Sequence, residues 1–147
     1  MIILEPIPLE TVWGGSKLRN YINFNFPSKI GQLYTVSADP KLDNKIINGD
    51  FKDKTLSYVW NNHRDLFHYQ KTETFPLIIG LVDAEHDLSI QIHPNDKFAI
   101  QNENVKFGKE ESWIFLDKPK SGYIVNGCKI NYPSELVNLI TIVEKIS

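Results

Sequence analysis

Leu88-Ser89-Ile90-Gln91-Ile92-His93-Pro94 alternates apolar and polar residues without a break. A helix would scatter that pattern around its circumference. A β-strand sends successive side chains to opposite faces, which puts Leu88, Ile90 and Ile92 on one face and Ser89, Gln91 and His93 on the other. The stretch therefore predicts a strand, and Pro94 ends it because proline has no N–H to give to a ladder. Gln91 and His93 then have Cα atoms about 6.6 Å apart, close enough for an amide oxygen and a ring nitrogen to meet on one small ion. An amide and an imidazole on a solvated strand face are also ordinary. The heptapeptide alone leaves both a metal site and a wet surface open.

Around this stretch the chain reads as short strands separated by turn signals. Residues 2–8 predict a strand, Trp13-Gly14-Gly15 a turn, and Ser16 the cap of a short helical turn through Asn20. Gln32 to Ala38 predicts a strand ended by Asp39-Pro40, and Lys45 to Ile47 a brief one closed by Asn48-Gly49. Leu56, Val59, Trp60, His63 and Phe67 recur at helical spacing behind a capping Thr55, with His63 on the packed stripe. His68 and His86 fall in loop-like, solvated surroundings. Phe75 to Val82 predicts a buried strand interrupted by Gly80, and Asp83 to Asp87 the polar turn that leads into Leu88. Asp96 to Gln101 suits one helical turn, with a loop from Asn102 to Gly108. Glu111, Trp113 and Phe115 alternate with Ser112, Ile114 and Leu116, predicting another strand with Glu111 at its mouth, and Tyr123 to Val125 gives one more. Leu136, Leu139, Ile140, Val143 and Ile146 space a helix over Ser134 to Ser147. Many short strands with turn signals point to an all-β sandwich or barrel.

Composition narrows the function. A net charge of −2 leaves no electrostatic footprint for nucleic acid or an anionic membrane. The N-terminus lacks the basic region and sustained apolar run of a signal peptide, and the Phe75–Val82 run is too short to span a bilayer. Cys128 is the only cysteine, so no intrachain disulfide forms and a reducing cytoplasm is the expected home. With 147 residues the chain suits one domain.

Four segments in order carry a family likeness: Val12-Trp13-Gly14-Gly15-Ser16-Lys17-Leu18, Phe75 to Ala84, Leu88 to Asp96, and Gly108-Lys109-Glu110-Glu111-Ser112-Trp113. Together they resemble the type I mannose-6-phosphate isomerase family in its bacterial short form, over residues 3 to about 135 and about the N-terminal half of the family's length. The resemblance implies a cupin-type jelly roll, here a partial barrel with short helices and a C-terminal helix, as a single domain over 1–147. It also implies a cytoplasmic, zinc-dependent enzyme that interconverts mannose 6-phosphate and fructose 6-phosphate, with metal ligands at Gln91, His93 and Glu111. An amide oxygen, an imidazole and a carboxylate suit one Zn²⁺ per chain, and Mn²⁺, Co²⁺ or Fe²⁺ as well. No residue is assigned as the base that moves the proton.

Three positions depart from the family pattern: Gly80 stands where a Lys is usual, Gln32 where a Glu is, and Asp39 where a His is. The resemblance implies a fourth ligand, a His, and an active-site Arg in the family's C-terminal half, beyond Ser147. A partial barrel leaves strand edges open, so a second copy of the chain or that missing half is the expected cover. The alternative to an isomerase is a non-catalytic cupin that binds a sugar or sugar phosphate, or a degenerate remnant of the family. Sugar phosphate is the expected small-molecule partner in the first reading.

Overall fold

The computed structural model describes residues 1–22, 29–68, 70–89, 91, 93–103 and 105–124. The chain divides into two compact units, Met1–Gln91 and Ile92–Ser147. Among the described residues of the first, five strands are joined by four short helical segments.

In the first unit β1 (Ile7–Gly15), β2 (Ile30–Val36) and β5 (Ile79–Val82) form an antiparallel sheet in the order β1-β2-β5, with the hairpin of β3 (Ala38–Asp39) and β4 (Leu42–Asp43) beside it in the chain. No closed barrel forms among the described residues. The central strand β2 is the most deeply covered: Ile30 and Leu33 are fully buried and share a core with Leu18, Ile22 and Leu81. Pro8 is tolerated within β1 because β1 is an edge strand, where one ladder N–H can be spared. Pro40 and Lys41 make the two-residue turn between β3 and β4, and Asp39 Oδ1 accepts the Lys41 N–H at 2.8 Å.

Trp13-Gly14-Gly15 ends β1 and is not a turn. The two backbones run so close here that a Cβ on Gly14 would lie 2.6 Å from the amide nitrogen of Gly31. The glycine serves close approach, a use that glycine shares with turns and that local sequence does not separate from them. Asp83 fastens the end of the strand. Its carbonyl accepts from Gly15, and its Oδ2 caps the 3-10 turn Lys17–Tyr21 by accepting the Lys17 N–H at 2.7 Å, the role expected of Ser16.

Helix α1 (Leu56–Asn62) begins where Thr55 accepts the Tyr58 N–H, and it buries Leu56, Val59 and Trp60. His63 caps its C-terminus, half-buried, with its ring 4.6 Å from Phe51. His68 and His86 are exposed. Asn44, fully buried, ties the unit together: its Nδ2 donates to the carbonyls of Glu5 at 2.7 Å and Tyr34 at 3.1 Å, while its backbone carbonyl accepts the Leu56 N–H. Arg64 stacks over Trp60 at 4.0 Å and donates to the carbonyls of Gln70, Thr72 and Glu73, which fixes the chain leading to β5.

Three expected strands are corrected. The Phe75–Val82 strand shrinks to β5 and is largely exposed, because it is the last strand of its sheet and nothing further pairs with it among the described residues. Leu88, Ser89, Gln91 and His93 lie outside any strand, and so do Glu111 to Leu116, since no ladder partner reaches either stretch among the described residues. Residues 2–8 join the sheet only from Ile7, with Leu4 in a lone bridge to Ile46. Val125, Cys128 and the helix expected over 134–147 lie outside the described residues.

In the second unit Asn95 caps the short helix α2 (Asp96–Phe98) by accepting the Phe98 N–H at 2.9 Å, and the turn continues through Ala99–Glu103 with Ala99 fully buried.

Candidate metal centre

The second unit is folded so that residues 94–96 and 108–109 lie side by side. Asp96 Oδ1 accepts the Gly108 N–H at 2.8 Å, and the Pro94 carbonyl accepts the Lys109 N–H at 3.2 Å. Gly108 permits the approach, since a Cβ there would stand 2.2 Å from the Pro94 carbonyl oxygen. His93 lies just before this clamp on one limb, and Glu111 two residues past it on the other.

His93 Nε2 and Glu111 Oε2 are 3.1 Å apart, with side chains 29% and 27% exposed. Two donors around one tetrahedral zinc, each bonded at about 2.0–2.1 Å, are separated by about 3.3 Å. The pair therefore has the chemistry and spacing of two metal ligands. Lys109 Nζ lies 2.7 Å from the same Oε2, and the Trp113 indole N–H donates to Oε1. The hydrogen bond from Lys109 is the main reason that the Glu111 carboxyl is held below the usual glutamate range. Partial burial opposes it, and the charge of Lys109, the indole and His93 add to it. Glu111 is thus an anion with both oxygens engaged.

A cleft of about 460 Å³ opens beside the pair, with His93, Asp96, Lys97, Lys109 and Glu110 on its walls. That is within the usual size of small-ligand pockets, about 300–1,000 Å³.

Of the expected ligands, His93 and Glu111 are brought together, and Gln91 is exposed at the end of the first unit. Among the described residues no three His, Cys, Asp or Glu side chains gather at one point, and the expected set contains only two residues of those types. Sequence reasoning gave no role to Lys109, Gly108 or Trp113. For Trp113 a signal existed, because it shares the parity of Glu111 and so its face in extended chain.

Comparison with known proteins decides the family. The profile described as phosphomannose isomerase type I, catalytic domain, matches residues 1–113, which include both His93 and Glu111. The chain belongs to the type I phosphomannose isomerase family. Within the family it is 36% identical over 140 residues to the putative mannose-6-phosphate isomerase YvyI of Bacillus subtilis, covering 95% of this chain and 44% of that protein. It is 34% identical to the mannose-6-phosphate isomerase ManA of the same organism, again covering 95% of this chain and 44% of the relative. The crystal structure of the mannose 6-phosphate isomerase from Bacillus subtilis superposes with a TM-score of 0.68 at 38% identity, over 73% of this chain and 34% of that one. The fold is thus shared with a solved family member, in keeping with the expected all-β architecture. The chain spans less than half the length of the relatives it matches. No helix among the described residues is long and apolar enough to cross a membrane.

Proposed function

We propose that this chain carries the metal-holding part of a mannose-6-phosphate isomerase that interconverts mannose 6-phosphate and fructose 6-phosphate in the cytoplasm. The observation that supports it is the His93–Glu111 pair, 3.1 Å apart within the matched residues. His93 and Glu111 would hold a divalent cation, zinc by the chemistry of the donors. Moving a proton between neighbouring carbons builds negative charge on the sugar oxygens, which a bound divalent cation stabilises as a Lewis acid.

The residues of the chain do the rest of the positioning. Lys97 and Lys109 place two cations on the cleft wall, which suits the phosphate and hydroxyl oxygens of a phosphorylated sugar. Asp96 and Gly108 fix the two limbs that carry His93 and Glu111.

Elemental analysis of the purified chain beside His93→Ala tests the site, followed by conversion of mannose 6-phosphate measured through fructose 6-phosphate. Zinc near one per chain, lost in the variant, is the expected result, with turnover of the sugar phosphate slower than that of a full-length family member. Absence of metal from both proteins overturns the reading. Metal bound without turnover replaces it with a non-catalytic cupin that binds a sugar phosphate.

A further inference from the structure

Trp113 differs from the other two tryptophans of the chain. Trp13 and Trp60 are 6% and 2% exposed and serve the core, whereas Trp113 is 50% exposed. Burial of apolar surface therefore accounts for less of its presence, because that stabilisation scales with the area removed from water. Its polar end is specifically engaged. The indole N–H donates to Glu111 Oε1 at 2.5 Å, and the ring is steadied by Phe115, stacked at 6.3 Å with the planes 25° apart.

An indole N–H can only donate. It therefore ties up a carboxylate oxygen without itself competing as a ligand for a cation. A carboxylate left free to rotate offers a cation either oxygen, or both. With Oε1 held by Trp113, the oxygen turned toward His93 Nε2 is Oε2, which a cation would share with or take from the Lys109 ammonium 2.7 Å away.

We propose that Trp113 is a positioning residue whose N–H holds Oε1, so that Glu111 meets a divalent cation through Oε2 alone; this rests on the reading of His93 and Glu111 as ligands. Hydrogen bonds of this outer kind fix the orientation of ligating carboxylates, and their loss costs about 10–100-fold in metal affinity. Trp113→Phe keeps an aromatic ring against Phe115 and removes the N–H. Replacing Trp113 by β-(3-benzothienyl)alanine keeps the bicyclic shape and removes the same N–H.

The test is titration of the full chain with Co²⁺, followed by its visible d–d absorption, for the unmodified protein, both Trp113 variants and His93→Ala. Both Trp113 variants are expected to bind Co²⁺ about 10–100-fold more weakly, with an altered d–d spectrum and unchanged far-ultraviolet circular dichroism. Unmodified affinity and spectrum in the benzothienyl variant would show that Trp113 only packs, and would overturn the proposal while leaving the ligand reading intact. Absence of Co²⁺ binding in the unmodified protein, or unchanged binding in His93→Ala, would overturn the ligand reading and the proposal with it.

Discussion

The two units of this chain are built on different principles. In the first, order comes from ladders and burial: β2 sits between two partners, Ile30, Leu33, Ile46 and Val59 are almost wholly removed from water, and Asn44 joins three segments through its side chain and backbone. In the second, among the described residues, order comes from a few polar contacts around Pro94, Asp96, Gly108 and Lys109, while Ile114 and Leu116 remain 87% and 79% exposed. The donors that suit a metal lie in the second. A region held by few apolar contacts opens locally at low cost, which is the usual condition of binding segments. The contrast teaches that damage to the core of the first unit and damage to the clamp of the second should separate experimentally, stability following one and metal binding the other.

Gly108→Ala should sharpen the contrast most. Its Cβ would strike the Pro94 carbonyl, so the two limbs must part and His93 must lose its spacing from Glu111. Metal affinity is expected to fall by about 100-fold, as for other losses around a metal site. The urea unfolding transition of the first unit should stay in place. A parallel loss of both would break the separation.

Asn44→Ala is the reverse experiment. It leaves the part-buried carbonyls of Glu5 and Tyr34 without their donor, at a cost of about 1–2 kcal/mol in urea unfolding. Metal content should be unchanged.

Lys109→Met is expected to act more mildly. The ammonium competes with a cation for Oε2, and an exposed pair of this kind is worth at most about 1 kcal/mol, so metal affinity should rise by no more than about fivefold. In the metal-free protein the same change should raise the Glu111 pKa toward its usual value, as read by carboxyl-carbon NMR. The sign follows from the lowered folded pKa. Whatever stability the pair contributes is present above the usual glutamate pKa and is lost as the pH falls through the lowered one. In Lys109→Met the contribution should be smaller and its loss complete at a higher pH, while the onset, set by the unfolded glutamate, stays where it was.

Ile79→Lys has the smallest expected effect on stability, within about 0.5 kcal/mol, because Ile79 is 44% exposed on β5. Its effect on association should be visible. β5 is an edge among the described residues, and a charge there opposes pairing with another chain, so light scattering should show less self-association than in the unmodified protein.

Legibility in the sequence followed the range of the interactions. Helix α1 and its Thr55 cap were readable because cap, spacing and apolar stripe all lie within a few turns. Much of β2 was readable for the same reason. Trp13-Gly14-Gly15 was misread because the reason for Gly14 is Gly31, on another strand. The alternation of Leu88 to Pro94 gave the side-chain order, but a strand needs a ladder partner that no local pattern supplies. His93 and Glu111 were named together from family likeness, and the geometry joins them. The grip of Lys109 and Trp113 on Glu111 depended on rotamers that spacing alone does not set.

The distribution of tryptophan gives the molecule a built-in optical division. Trp13 and Trp60, enclosed in the first unit, should emit at shorter wavelength and resist collisional quenchers, while Trp113 in the second emits toward the red and is quenched readily. Acrylamide then silences one channel and spares the other. A single unlabelled sample can report, from its own fluorescence, whether a given stress has reached the core or only the carboxylate that Trp113 touches.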